Sequence, residues 1–140
     1  MTEKEGPIGM SRKPQLASLQ LAIMRVLWNR EEATVAEVRD VLAAEGRELA
    51  YTTVATMLAK MERKGQVAHR SSGKAFIYHP VLRQEQVSRS MVADLAHRLF
   101  GGDVTLMVSH LLDGCELSSS ELARLKALIR KKEQEDRHAR

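Results

Sequence analysis

The sequence predicts a mainly α protein with one small β-hairpin, and three observations carry that prediction. Apolar residues recur at helical spacing in successive stretches between Leu16 and Ile129. Only across residues 67–80 does the period fall from 3.6 to 2. Glycines at 46, 65, 101, 102 and 114 stand where each helical stretch runs out.

In chain order, residues 1–15 hold Gly6, Pro7, Gly9 and Pro14 among charges without periodicity, and are expected to be a flexible arm. A helix follows from Leu16 to about Asn29. Leu19, Ile23, Val26 and Leu27 form one stripe, and Met24 and Trp28 a second apolar edge, so this helix should be the central buried one. Thr34 and Glu37 have the spacing of a capping box, in which each side chain accepts a free backbone N–H of the other. Val35, Val38, Val41 and Leu42 then mark a helix that ends near Gly46. The next covers Tyr51 to Lys64 and stops at Gly65. At 100° per residue, Tyr51, Val54, Met57, Leu58 and Met61 fall inward, and Thr52, Thr53, Thr56, Lys60, Arg63 and Lys64 outward. The segments 67–71 and 75–80 are strands around Ser72-Gly73-Lys74, closed by Pro80. Beyond Leu82, Val87, Met91, Leu95 and Leu99 predict an amphipathic helix over residues 83–100. Val104, Met107, Val108, Leu111 and Leu112 predict a shorter one. Ser118 or Ser119 can cap a last helix bearing Leu122, Leu125, Leu128 and Ile129, and residues 131–140 are expected to form a charged, fraying tail.

With 140 residues, the chain has room for one compact domain or a small domain with an appendage. Only 4% of it is aromatic, so the core is expected to be built from Leu, Val, Met and Ala. No apolar run approaches the ~20 residues that span a bilayer, and no apolar stretch of a signal peptide is seen, so a cytoplasmic location is expected. One cysteine, Cys115, excludes an intrachain disulfide. The net charge of +4 is unevenly spread. Residues 31–49 set two arginines against six carboxylates, whereas residues 50–80 set Lys60, Arg63, Lys64, Arg70 and Lys74 against Glu62 alone. The positive charge is therefore gathered on one short stretch, a pattern that attracts a phosphate backbone or is simply a solvated face.

Helix, capped helix, helix with an outer face of hydroxyls and cations, and basic hairpin are the parts of a winged helix-turn-helix. Such a helix fits the major groove of double-stranded DNA. Thr52, Thr53 and Thr56 suit base edges or thymine methyls, Lys60, Arg63 and Lys64 suit phosphates, and Arg70 and Lys74 on the hairpin suit an adjacent stretch of backbone. The alternative is a winged-helix adaptor that binds another protein and no DNA.

The runs LAIMRVLW (21–28), TVAEVRDVL (34–42), AYTTVATMLAKMERKG (50–65), VAHRSSGKAFIYHP (67–80) and RLFGGDVTLMVSHLLDG (98–114) resemble the BlaI/MecI/CopY family of penicillinase-type repressors. The resemblance covers about residues 16–130. It implies a winged-helix DNA-binding domain (16–82) followed by a helical dimerisation region (83–130), and a homodimeric repressor on inverted-repeat operators. One branch is relieved by proteolysis in the dimerisation region, downstream of a membrane sensor. Another senses copper through paired Cys-x-Cys motifs, which this chain lacks, so no metal or other cofactor is expected.

Dimerisation also follows from size. Residues 83–130 form short amphipathic helices too few to bury their own stripes. A second copy is expected to cover Val87, Met91, Leu95, Leu99, Val104, Met107, Val108, Leu111, Leu122, Leu125 and Ile129; folding back onto the winged domain is the alternative. Catalysis is not expected. The five histidines show no His-Glu-x-x-His spacing, and no glycine-rich phosphate loop is present. Cys115 and His110 supply at most two metal ligands per chain, and a free thiol at a helix contact is the simpler role.

Overall fold

A computed structural model of the chain describes residues 16–139; the expected flexible arm lies outside the described residues. The elements run α1 (Ser18–Arg30), β1 (Ala33–Thr34), α2 (Val35–Ala44), α3 (Tyr51–Arg63), β2 (Val67–Ser72), β3 (Ala75–Pro80), α4 (Gln84–Phe100), α5 (Val104–Gly114) and α6 (Ser119–His138). They fall into two compact units that divide between Leu95 and Ala96.

The first unit is a winged helix-turn-helix. Ile23, Met24, Val26 and Leu27 of α1 are buried together with Val38 and Leu42 of α2, Val54, Leu58 and Met61 of α3, Val67 of β2 and Tyr78 of β3. Each such side chain contributes about 1.5–3 kcal/mol of burial. The stripes read from helical spacing on the first three helices are, with one exception described below, the faces that meet. The capping box forms as expected. Thr34 Oγ1 accepts the Glu37 N–H at 3.1 Å, and Glu37 Oε1 accepts the Thr34 N–H at 2.8 Å. After α3, Gly65 takes φ +78°, a conformation that costs an L side chain strain, and its N–H closes on the Glu62 carbonyl.

The sheet is larger than the expected hairpin. β3 lies between β2 and β1, with Ala33 opposite Tyr78 and Thr34 opposite Ile77. Two residues are too short to show alternation, so the third strand is invisible to a periodicity reading. In the hairpin Ser72 pairs with Ala75, leaving a two-residue loop, Gly73-Lys74, with Gly73 at φ +62°. Glycine with positive φ at the first loop position is the signature of a turn whose twist matches the flanking strands.

α4 departs from expectation in one respect that matters for assembly. Val87, placed in the dimerising stripe, is 1% exposed within the core of the winged unit, and Met91 packs against that core. These two residues are covered by their own chain. Leu95 and Leu99, further along the same stripe, are 45% and 67% exposed.

In the second unit, Asp103 caps α5 by accepting the Leu106 N–H at 3.0 Å. Ser118, one of the two expected caps, starts α6: its Oγ accepts the Glu121 N–H at 3.1 Å, and Glu121 Oε1 accepts the Ser118 N–H at 3.0 Å. Hydrogen bonding from the Ser118 backbone N–H first, and from the Ser118 side chain second, holds the Glu121 carboxyl below its ordinary value of 4.5. The expected fraying tail is corrected by the structure, in which α6 continues to His138. Residues 131–138 carry both signs of charge and no Gly or Pro, so nothing in them breaks a helix.

Candidate nucleic-acid interface

α3 turns Val54, Leu58 and Met61 fully inward. That leaves Thr52, Thr53, Thr56, Lys60, Arg63 and Lys64 exposed on its other side. Thr52, Thr53, Thr56, Met57 and Lys60 border one shallow depression of about 310 Å³. The residue that caps α3 is Ala50, which has no side-chain bond to offer. The threonine hydroxyls take no part in capping, and among the described residues they have no other partner. They are donors and acceptors left open to a ligand. Lys60, Arg63 and Lys64 likewise form no ion pair among the described residues.

The wing is tied to α3 at one point. His69 Nδ1 of β2 lies 2.6 Å from Glu62 Oε1 of α3. The same imidazole stacks on Phe76 at 4.1 Å and lies at a tilt to Tyr78 at 5.4 Å. Tyr78 is buried beneath, and burial raises its phenol above the ordinary range, with Glu62 and then Tyr51 adding to the shift. The phenol therefore stays neutral at physiological pH, and Glu62 is engaged with the wing at the α3 surface where it would otherwise repel phosphate. No local spacing rule in the sequence signals the Glu62–His69 bond.

The five cations assigned to DNA are not equivalent. Lys74, in the wing turn, is exposed and unpaired among the described residues. Arg70 is already held: its Nη2 lies 3.0 Å and 3.2 Å from the two carboxylate oxygens of Glu32, in the turn after α1. The structure brings together the threonines and Lys60, continues the same helix with Arg63 and Lys64, and sets Lys74 on the wing. It does not leave Arg70 free.

Tyr51 is the exception among the inward residues. It is 49% exposed, and the guanidinium of Arg39 on α2 lies 5.9 Å from its ring centre. Helical phase alone turns it inward, but as the first residue of α3 it overhangs the end of the packed face. Tyr51 and Arg39 thus join the open surface near the N-terminal end of α3, where the sequence reading had placed only the threonines.

In the second unit, α5 and α6 bury no residue. Leu99, Val104, Val108, Leu111, Leu122, Leu125 and Ile129 are all exposed, Met107 is half-buried, and Leu106, outside the expected stripes, is exposed too. Cys115 is an exposed free thiol, and the His110 ring lies 5.3 Å from that of Phe100. No group of three metal-ligating side chains occurs among the described residues, and no helix there is long and apolar enough to cross a membrane.

Residues 16–131 match the family model described as penicillinase repressor. Among curated proteins, the chain is 36% identical to the transcriptional regulator BlaI of Mycobacterium tuberculosis over 74% of this chain and 76% of the relative. It is 26% identical to the penicillinase repressor of Bacillus licheniformis over 86% of this chain and 93% of the relative. Among solved structures, the solution structure of the DNA-binding domain of the repressor BlaI is 27% identical, covering 52% of this chain and 88% of that one, with a TM-score of 0.46.

Proposed function

The chain belongs to the penicillinase repressor family and is a transcriptional repressor, not an enzyme, with a winged-helix DNA-binding domain, and we propose that it acts as a homodimer on an inverted-repeat operator. One observation carries the DNA-reading half of this proposal. The outer face of α3 presents three threonine hydroxyls beside three cations, none of which has a hydrogen-bond or ion-pair partner among the described residues. Thr52, Thr53 and Thr56 lie toward the end of the helix that enters the major groove and contact base edges. Lys60, Arg63, Lys64 and Lys74 hold phosphates, and Arg70 joins them only when Glu32 releases it.

The dimeric half is supported by the uncovered apolar side chains of α5 and α6. A helix whose leucines are all exposed is stable only when something buries them, and a second copy presents the same stripe. The head that reads DNA is residues 16–82 with the first turns of α4 packed on it. The dimer contact is formed by Leu95, Leu99 and the apolar residues of α5 and α6. Relief of repression acts on the second unit, where the exposed Gly101-Gly102 turn offers a protease a place to act; a membrane sensor upstream of that protease is the corresponding partner.

Mobility shift of the full chain on its own upstream region, with light scattering, tests the proposal. The expected result is a salt-sensitive shift, specific over random duplex, from a particle of about twice 15.7 kDa. Absence of any shift at low salt would favour a protein-binding adaptor, and a 15.7 kDa particle that still shifts DNA would remove the dimer.

A further inference from the structure

The segment that joins the wing to α4 is bonded to the winged unit through three of its backbone groups. The Gln66 carbonyl accepts two N–H groups, from Val81 at 2.9 Å and from Leu82 at 3.1 Å. The Leu82 carbonyl accepts the indole N–H of Trp28 at 2.9 Å, across 54 positions of sequence. Gln66 is itself the residue whose N–H closes the end of α3, on the Met61 carbonyl at 2.9 Å. The end of the helix that faces DNA and the root of α4 are therefore bonded to the two sides of one residue, Gln66, by its N–H and its carbonyl. Val87 then buries its side chain in the same core, and Leu82 and Met91 pack against it.

We propose that Trp28 and the Gln66 carbonyl form an anchor that fixes the direction in which α4 leaves the winged unit, making Trp28 a positioning residue that sets the half-site spacing the repressor accepts. This rests on the reading of the protein as a dimer on paired half-sites. If two heads are joined through residues beyond Leu95, the freedom of each head is the freedom of α4 at its root. The partly buried Trp28 fills space as any large apolar residue would, but only an indole supplies the N–H that reaches Leu82. A buried donor without its acceptor, or the reverse, is costly, so the bond resists opening. Two of these bonds hold the root of α4 to the residue that closes α3, and the third holds it to α1, before any contact of the second unit is considered.

The experiment uses the full chain and the inverted repeat that it selects from a random duplex library. Spacers are lengthened and shortened by one and two base pairs, and affinity is measured for each, for a single half-site and for random duplex. Two variants are compared with the wild type. Trp28→Phe keeps the ring and removes the donor. Val81→Pro removes one N–H to Gln66 at an exposed position that follows extended backbone, where proline is tolerated. The wild type is expected to show a sharp spacing optimum. Both variants are expected to lose about fivefold at the optimum, the worth of one hydrogen bond, and much less at altered spacings, so that the profile flattens. Their affinity for a single half-site and for random duplex stays at the wild-type level. An unchanged, sharp profile in both variants overturns the inference and leaves the dimeric repressor standing. An equal loss on every duplex also overturns it, because Trp28 then serves only the stability of the head. A wild type that binds one half-site as well as two removes the dimeric reading and this inference together.

Discussion

Glu32→Ala is expected to strengthen DNA binding, an outcome that follows from the different standing of the five cations assigned to DNA. Four of them, Lys60, Arg63, Lys64 and Lys74, have no ion-pair partner among the described residues, and Arg70 lies 3.0 Å from Glu32. Each cation that meets a phosphate releases a counterion and contributes about −0.9 to the slope of log affinity against log salt. Lys60→Ala should therefore flatten the slope by about 0.9, which between 50 and 200 mM salt is a difference of about 3.5-fold in affinity. Arg70→Ala should flatten it by well under half as much, because the charge removed is already neutralised. Glu32→Ala frees the guanidinium and should steepen the slope by up to about 0.9. The pair is exposed, with side chains 55% and 50% accessible, so breaking it costs well under about 1 kcal/mol and the folded fraction does not change. Fluorescence anisotropy on a random-sequence duplex at four salt concentrations reads all three slopes. Equal flattening by Arg70→Ala and Lys60→Ala would show that the ion pair opens on DNA and that the five cations are equivalent after all. No steepening in Glu32→Ala would show that Arg70 does not reach a phosphate.

Thr56→Ala should cost about 1–3 kcal/mol on the operator and little on random duplex, with an unchanged melting temperature because its hydroxyl has no partner among the described residues; equal loss on both duplexes would remove it from base reading. Leu99→Glu should leave the winged unit intact and convert the particle to a monomer in light scattering, whereas Val87→Ala should destabilise that unit by about 1–3 kcal/mol with the oligomeric state preserved; the reverse pattern would mean that Val87 faces the second copy. Acidification should loosen the start of α6. The Glu121 carboxyl is held below its ordinary value, so its contribution is present above that value and is lost as pH falls through the lower folded one. Amide protection at Ser118, corrected for the intrinsic pH dependence of exchange, should fall there, and Glu121→Gln should remove that change.

Periodicity and capping chemistry made most of the fold legible, because each is a local rule that the tertiary structure then obeys. Thr34 and Glu37 announce the start of α2, Gly65 announces the end of α3, and the change of period at residue 67 announces the wing. What was not legible depends on contacts between residues far apart. β1 is two residues long and exists only because β3 presents an open edge to it. The Trp28 bond to Leu82 and the Glu62 bond to His69 span separations at which no local spacing rule operates. The extension of α6 to His138 was missed for a different reason: a run of mixed charges resembles a disordered tail in composition, although it contains good helix formers.

The candidate site shows the same boundary in sharper form. Helical phase states which side of a helix a residue occupies and leaves open what lies opposite it. On α3 that suffices for Thr52, Thr53, Thr56 and Lys60, because the inward side is filled by the head's own core. It fails for Tyr51, where the helix begins beyond the edge of that core. On the wing, strand alternation is equally silent about Arg70, whose bonded carboxylate comes from a turn 38 positions earlier in sequence. On α4 a single stripe is divided between two destinations. Val87 and Met91 are used by the winged unit, and Leu95 and Leu99 are not. An apolar stripe longer than the surface it packs on is therefore evidence of two neighbours, and the position where burial stops, between Met91 and Leu95, marks where contact with the first neighbour ends. In the proposed dimer the second copy takes over from that point. The turns of α4 that carry Val87 and Met91 then move with the DNA-reading head, and any signal that separates the two copies must act beyond them.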